Sequence, residues 1–180
     1  MRAIPAGSDL ELRPLSARDV EPLFSITERN LARLHQWLEW AVPGYSLDEM
    51  RRFVEEKQTE NLLGVGLTAA IWLGDRVCGA IELHRINTRH RSSSIGYWID
   101  DAFESQGIVT RACRCLVTEG FSTYNLHRIE IRCATGNERS AAVPKRLGFV
   151  LEGTLREAEW LHDHWVDLHV FRMLEHDWKP

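Results

Sequence analysis

The sequence predicts a mixed α/β fold, in which a central mixed sheet carries helices on both faces. Its predicted elements follow the order β-α-α-α-β-β-β-α-β-α-β-β, which fits neither regular α/β winding nor a meander of hairpins. A strand, a helix and a second strand between Ile95 and Ile131 predict a right-handed parallel crossover within the sheet. The chain has 180 residues, 44% of them hydrophobic and 27% charged, so we expect one globular domain over residues 1–180.

The first third of the chain begins with a strand and then becomes helical. Leu10–Leu15 reads as the opening strand, and the hydroxyl of Ser16 can cap the helix that follows it. Leucine and tryptophan recur at helical spacing over Asn30–Trp40, which predicts a second helical segment. Ser46-Leu-Asp-Glu49 is a capping-box pattern, and it predicts a third helix that continues to about Glu60.

The remainder of the chain alternates strands with two helices. A Gly74-Asp75 turn joins the first two strands into a hairpin, and Gly148 is a natural residue to follow the end of the second helix. The predicted strands are Leu67–Leu73, Val77–His84, Ser93–Asp100, Arg128–Ala134, Phe149–Glu157 and Trp165–Leu174, and the predicted helices are Gly107–Tyr124 and Asn137–Leu147.

Charge, hydropathy and cysteine pattern exclude several classes of protein. The net charge of -4 argues against a nucleic-acid partner, because nucleic-acid-binding domains are usually basic. No apolar run approaches the roughly 20 residues that span a bilayer, and the first residues lack the apolar stretch of a signal peptide. We therefore expect a cytoplasmic protein with no membrane partner. The four cysteines show no CxxC spacing, so we expect reduced thiols and neither a zinc site nor a disulfide framework.

The first segment that suggests chemistry is IGYWIDDAFESQGIVTRA, in which a strand leads through a short loop into a helix beginning at Gly107. The first N–H groups of such a helix have no partner within it, and they bind phosphate or diphosphate without needing a particular side chain. A glycine there lets the ligand approach the backbone closely. Taken alone, the segment also fits an ordinary helix start.

The second segment is NERSAAVPKRLGF, which predicts a short helix. Asn137 can cap that helix, and Ser140 lies one turn further on, within reach of Asn137. Taken alone, the segment also fits a simple cap, two alanines for close packing and a Gly-Phe helix exit.

Together the two segments resemble the GNAT superfamily of acyl-CoA-dependent N-acyltransferases, most closely its RimL-like branch, which acetylates N-terminal amines of ribosomal proteins. The resemblance covers nearly the whole chain and includes LELRPLSARD, LHQWLEWA and the EAEW stretch. It implies an α+β N-acetyltransferase domain with a mostly antiparallel twisted sheet. It also implies a V-shaped splay between the strands Ile95–Ile99 and Arg128–Ala134.

The resemblance further implies roles for individual residues, with acetyl-CoA as the co-substrate and no metal. Backbone groups of Trp98 and Ile99 would pair with the pantetheine arm, to which Asn137 would also bond. Ser140 would lie near the thioester sulfur, and Glu159 would take the proton from the attacking amine. The diphosphate would be held by the backbone amides of seven consecutive residues, Glu104, Ser105, Gln106, Gly107, Ile108, Val109 and Thr110.

These roles agree with the chemistry of acyl transfer. An amine attacks a thioester only when neutral, and an α-amine with a pKa of about 7.7 to 8.0 meets that condition far more readily than a lysine with a pKa near 10.4. Glu159 is sufficient as a base, Ser140 can stabilise the departing thiolate, and backbone N–H groups near Trp98 can polarise the carbonyl. We therefore expect direct transfer in a ternary complex, with Cys133 as a core residue and not a nucleophile.

The loop expected to bind the diphosphate departs from the family pattern at two positions. Glu104 stands where the family usually has Gln or Arg, and Val109 replaces a small residue. A carboxylate aimed at the diphosphate would repel it, so we expect Glu104 to point to solvent. Because backbone amides do the binding, the site should survive.

On the acceptor side, the sequence indicates Trp37, Trp40, Glu82 and His84 as substrate-binding residues. The two tryptophans fit a core position equally well, and His84 also fits a structural role. We expect the acceptor to be a protein N-terminal α-amine. The alternatives are a small amine such as a polyamine, aminoacyl compound or antibiotic, or a non-catalytic module that only binds CoA, and whether the chain forms a homodimer stays open.

Two further clusters carry weaker signals. His162-Asp-His164 places two imidazoles close together, but no third metal ligand is evident. The arginines Arg85, Arg89 and Arg91 precede the strand expected to bind CoA. We expect both clusters to belong to solvent-exposed loops.

Overall fold

A computed structural model describes residues 2–179, which form one eight-stranded sheet and four α-helices. The strands are β1 (Ile4–Pro5), β2 (Leu10–Pro14), β3 (Leu67–Leu73), β4 (Arg76–Asn87), β5 (Ser92–Ile99), β6 (Arg128–Ala134), β7 (Val150–Leu161) and β8 (His164–Leu174). The helices are α1 (Val20–His35), α2 (Leu47–Leu63), α3 (Ile108–Ser122) and α4 (Glu138–Arg146). The strand order across the sheet is β1-β2-β3-β4-β5-β6-β8-β7.

Helices cover both faces of the sheet, as the sequence predicts. On one face, α1 and α2 bury Leu23, Met50 and Val54 against Ala70 of β3. On the other face, α3 and α4 pack on the larger core, to which α3 contributes Leu116. The α+β fold class with a mostly antiparallel sheet is confirmed.

The predicted division of the first helical region into two helices is wrong. The Ser16 capping box leads through a single 3-10 turn into α1, which continues without a break to His35. The helical spacing that predicted Asn30–Trp40 belongs to the end of α1, because Leu38 N–H still bonds to the carbonyl of Leu34, 2.9 Å away. The later capping box begins α2 as predicted, with Ser46 accepting from the backbone of Glu49.

The predicted parallel pairing of β5 with β6 is confirmed, and it stops part-way along both strands. The register runs from Ser92 opposite Arg128 to Ile95 opposite Ile131, and no further pair forms between these two described strands. Beyond that point β5 continues to pair with β4 as far as Ile99. The two central strands therefore diverge and leave the expected V-shaped opening in the sheet.

Both helices that follow the diverging strands begin at this opening. Gly107 precedes α3 in a left-handed conformation (φ 72°), which a residue with a side chain rarely adopts. Asn137 caps α4, its Oδ1 accepting from Ser140 N–H at 3.0 Å. The predicted helix starts are thus confirmed, and both supply free N–H groups at the opening.

Strand β7 is longer than the predicted strand, because it continues past a bulge that interrupts the alternation of its side chains. Its register against β8 shifts between Leu155 and Glu159, and the strand continues to Leu161, not ending at Glu157. At the bulge, Glu157 adopts a left-handed conformation (φ 46°) and its N–H donates to the Asp167 carboxylate at 2.8 Å. The bulge changes the direction of the strand just before Glu159.

Across residues 2–179, each helix is too short or too polar to cross a membrane.

Candidate functional site

A cleft of about 1390 Å³ follows the opening between β5 and β6. It is larger than the usual pocket for a single small molecule, so it has room for a long ligand together with a second one. All but one of the residues to which the sequence assigned a catalytic, cofactor-binding or substrate-binding role line it, namely Trp37, Trp40, Glu82, His84, Trp98, Ile99, Glu104, Ser105, Gly107, Ile108, Val109, Thr110, Asn137, Ser140 and Glu159. The exception is Gln106, whose side-chain amide bonds to the carbonyl of Ala102 at 3.0 Å.

Helix α1 holds the loop between β5 and α3 in place. The Asp100 carboxylate is fully buried and accepts hydrogen bonds from Arg29 and from Asn30 Nδ2, the latter at 2.8 Å. Asn30 in turn accepts from the backbone N–H of Asp101 at 3.0 Å. Burial alone would raise the pKa of Asp100, but these hydrogen bonds outweigh it and lower the pKa to about 2. The carboxylate therefore stays ionised and anchors the start of the loop.

The prediction that Glu104 points to solvent is wrong. Its carboxylate accepts from Arg33 Nη1 at 2.6 Å and from Arg139 Nη1, and its side chain is only 20% exposed. The two arginines lie far away in the sequence, on α1 and α4, so no local pattern indicates them. Their charges offset that of the carboxylate, so the repulsion expected for a bare acid in this loop does not arise.

The β5 segment next to the opening is only partly free. The carbonyl of Ile99 already accepts from Arg33 Nη2 at 2.5 Å, which occupies one of the two lone pairs of that oxygen. The pairing of pantetheine with the backbone of Trp98 and Ile99 stays a prediction, and Arg33 would share the Ile99 carbonyl with the ligand. Trp98 packs against the α1–α2 side, and its ring lies 6.0 Å from that of Trp40.

Ser140 is placed by a residue that sequence reasoning missed, Tyr97. The Tyr97 hydroxyl lies 3.0 Å from the Ser140 carbonyl and 3.1 Å from Ser140 Oγ. Burial raises the pKa of Tyr97, so it stays protonated and donates a hydrogen bond. Its place in the IGYW motif, beside a glycine at the splay, was the available signal.

The bulge in β7 places Glu159 at the edge of the cleft, where it is half-buried. Burial raises the pKa of its carboxyl, and the nearby negative charge of Glu39 raises it further, against an opposing effect of Arg85. A carboxylate with a raised pKa is a stronger base for an ammonium proton than an ordinary surface glutamate.

The acceptor side of the cleft is formed by Glu82 and His84, which project from β4 beside Gly96 of β5. A Cβ on Gly96 would lie 3.4 Å from Glu82 Oε1 and 3.8 Å from His84 Nε2, so the missing side chain leaves both groups open to the cleft. Burial lowers the pKa of His84, although the charge of Glu82 opposes this. A side pocket of about 150 Å³, lined in part by Trp40, opens next to Glu82.

Trp37 reaches across the cleft to the turn before α4. A Cβ on Gly136 would lie 3.6 Å from the Trp37 ring, so the indole lies directly over that glycine. Trp37 and Trp40 are half-buried residues of the cleft, and neither belongs to one of the two core clusters.

The remaining candidates have structural roles. Cys133 is buried, and burial raises the pKa of its thiol, which suits a core residue better than a nucleophile. His162 stacks on His35 with ring centroids 3.7 Å apart, so the expectation of a fully solvated loop is wrong there. Residues 2–179 contain no group of three or more His, Cys, Asp or Glu side chains arranged to hold a metal ion. Arg91 bonds to the backbone and side chain of Asn125, whereas Arg85 lies on β4 and lines the cleft, so the expectation of a loop is wrong for Arg85.

Residues 9–150 match the family described as "Acetyltransferase (GNAT) domain". The chain belongs to the GNAT acetyltransferase family. This GNAT chain is 34% identical to the putative ribosomal N-acetyltransferase YdaF of Bacillus subtilis, over 94% of the chain and 93% of YdaF. It is 30% identical to the ribosomal-protein-serine acetyltransferase of Escherichia coli K12, over 93% of the chain and 94% of that protein.

A solved structure of the same family is similar over almost the full length. It is that of RimL, a ribosomal L7/L12 α-N-protein acetyltransferase, in complex with coenzyme A. The TM-score is 0.92 at 28% identity, covering 96% of the GNAT chain and 97% of RimL. The GNAT chain is thus an acetyltransferase that uses acetyl-CoA as its co-substrate.

Proposed function

We propose that this enzyme transfers the acetyl group of acetyl-CoA to the N-terminal α-amine of a protein, by direct attack in a ternary complex in the cytoplasm. The observation that carries the proposal is the presence in one cleft of a carboxyl with a raised pKa, Glu159, and a supported hydroxyl, Ser140. The named activities of the two relatives with ribosomal-protein acceptors support this choice of acceptor.

In this proposal acetyl-CoA lies along the opening of the sheet. The backbone N–H groups of residues 105–110 hold the diphosphate at the positive end of α3, whereas the N–H of Glu104 already donates to the Asp101 carbonyl at 3.1 Å. The pantetheine arm passes between β5 and β6 beside Asn137, whose side-chain amide caps α4. The thioester sulfur then lies near Ser140, at the N-terminal turn of α4.

The transfer itself needs only groups that the cleft contains. The neutral amine forms a bond from its nitrogen to the thioester carbon, while its proton passes to Glu159 directly or through one water. The oxyanion accepts from backbone N–H groups near Trp98. The C–S bond then breaks, and the thiolate accepts a hydrogen bond from Ser140.

The charges on the acceptor side favour a cationic amine as the incoming group. Glu159 lines the cleft, and the charge of Glu39 raises its pKa against a smaller effect of Arg85, whereas the charge of Glu82 is already paired with Lys57 at 3.4 Å. An α-amine, with a pKa of about 7.7 to 8.0, loses its proton to such a site more readily than a lysine does. This difference supports an N-terminal acceptor over a lysine side chain.

The proposal is tested by following thiol release from acetyl-CoA with a panel of amines. Peptides with a free N-terminal serine or alanine should be acetylated, whereas the same peptides with a blocked N-terminus and an internal lysine should not. Turnover of spermidine with no turnover of any peptide would contradict the choice of acceptor. Binding of CoA with no turnover of any amine would contradict an enzymatic role.

Replacing Tyr97 with phenylalanine removes the hydroxyl that supports Ser140. We expect kcat to fall about tenfold with little change in the KM for acetyl-CoA. The variant loses one hydrogen bond to Ser140, the residue that stabilises the departing thiolate, and the cofactor contacts remain. Steady-state kinetics measure this. Tyr124→Phe is the matched control, since Tyr124 is a half-buried tyrosine two residues after the end of α3, and it should leave kcat unchanged. An unchanged kcat in Tyr97→Phe would contradict the support of Ser140.

Replacing Glu39 with glutamine removes a negative charge near Glu159. Because that charge raises the pKa of Glu159, its loss should lower this pKa, and the acid limb of the kcat–pH profile should move to lower pH. Glu28→Gln, at an exposed position on α1, is the control and should leave the limb in place. A shift to higher pH, or none, would contradict the coupling between the two carboxyls.

A further inference from the structure

A cluster of three charged side chains spans the end of the cleft where the diphosphate is expected. Glu104 lies at its centre, in the loop before α3, and accepts from Arg33 of α1 and Arg139 of α4. The cluster carries two positive charges and one negative charge, so its net charge is positive. All three residues line the cleft.

Arg33 fixes Glu104 in position because its own donors are already occupied. Its Nε and Nη2 bond to Asn30 Oδ1 at 3.3 and 2.9 Å, Nη2 also bonds to Ile99 O, and Nη1 bonds to Glu104. Asn30 is itself buried and bonded to Asp100. Arg33 therefore has little capacity left for a ligand, and its role is to hold the carboxylate.

Arg139 differs from Arg33 in each of these respects. Its side chain is 77% exposed, and within residues 2–179 its single hydrogen bond is the one from Nη1 to Glu104. Its Nε and Nη2 donors are left without a protein partner. A guanidinium held at one end, with its other donors free, is a ready-made partner for phosphate oxygens, which it binds through a planar pair of N–H groups.

We propose that Arg139 is a cofactor-binding residue that contacts the diphosphate of acetyl-CoA, and that Glu104 is the residue that positions it. This rests on the placement of the diphosphate proposed above. It explains the departure from the family pattern, because the loop lacks the donor side chain usual at position 104 and receives one from α4 instead. Glu104 thus assists binding of an anion even though it is an acid.

The first measurement is the Kd for CoA by calorimetry. Arg139→Gln should raise this Kd about tenfold, because a charge-assisted hydrogen bond to phosphate is lost. Arg51→Gln removes the same charge from an arginine that pairs with Asp48 on α2, and it should leave the Kd unchanged. Dephospho-CoA should show the same loss in Arg139→Gln. A loss confined to CoA itself would assign Arg139 to the 3′-phosphate and overturn the diphosphate contact.

The second measurement is the Kd for CoA of the Glu104→Gln variant, for which two explanations predict changes in opposite directions. If Glu104 positions Arg139, Glu104→Gln should weaken CoA binding about threefold or more and raise the KM for acetyl-CoA without raising the KM for the acceptor. If Glu104 only repels the diphosphate, the same change should tighten binding, which would overturn the proposal. In an Arg139→Gln background, Glu104→Gln should no longer weaken binding, because the two effects are coupled.

The outcomes also separate this inference from the proposed function. An unmodified protein that binds no CoA would refute the proposed function, whatever the variants do. An unmodified protein that binds CoA, together with an Arg139→Gln variant of equal affinity, would refute the inference alone. The exposed position of Arg139 makes this variant a safe one for folding, and thermal unfolding verifies it.

Discussion

Replacing Glu159 with glutamine is expected to lower kcat by about a hundredfold to ten-thousandfold at neutral pH, the usual contribution of a positioned general base. The amide keeps the size and the polar character of the side chain but has no affinity for the proton that the amine must lose. Binding of acetyl-CoA should be nearly unchanged, because the proposed cofactor contacts come from the backbone of residues 105–110, from Asn137 and from Ser140, and not from Glu159. Kinetics at saturating acceptor and a separate measurement of the Kd for CoA test both statements.

The pH profile provides an independent test of the same role. The base acts only when ionised, so activity should rise with pH through the pKa of Glu159, which burial and Glu39 hold above the usual glutamate value. In Glu159→Gln this acid limb should disappear, and the remaining rate should follow deprotonation of the amine itself. Glu157→Gln, at the exposed bulge two residues earlier, is the control and should retain full activity. An unchanged kcat in Glu159→Gln would exclude the residue as the base.

The parts of the fold predicted from the sequence are those specified by nearby residues. Asn137 caps α4, Gly107 precedes α3 and Gly148 follows α4 in a left-handed conformation, and each of these features involves residues within one turn. The parallel pairing of β5 with β6 was predictable for a similar reason, since a strand-helix-strand unit has one common geometry.

The parts that were not predicted depend on residues distant in the sequence. The conformation of Glu104 is decided by Arg33 and Arg139, and that of Ser140 by Tyr97. No periodic pattern contains this information, because hydrogen bonds between elements depend on how those elements pack. The bulge before Glu159 was missed for a different reason, since an inserted residue breaks the alternation by which a strand is recognised.

Replacing Gly79 with alanine is expected to have the largest effect on stability, about 3 kcal/mol in the free energy of unfolding. A Cβ at this position of β4 would lie 2.1 Å from the carbonyl oxygen of Trp98 and 2.8 Å from the Cα of Ile99. Both atoms belong to the backbone of β5, so no side-chain rotation can relieve the contact and the strands must move apart. Urea denaturation measures the change.

The displaced atoms belong to the segment proposed to bind the cofactor, so the same substitution should also affect function. Gly79→Ala should weaken CoA binding even at temperatures where the protein remains folded, because Trp98 and Ile99 are pushed towards the opening. Gly153→Ala on β7 is the matched control. It meets no heavy atom within 4 Å, so its stability should change by less than about 0.5 kcal/mol and its affinity for CoA not at all. A destabilised Gly79→Ala variant with normal affinity would show that CoA binding does not depend on the exact course of β5 at residues 98 and 99.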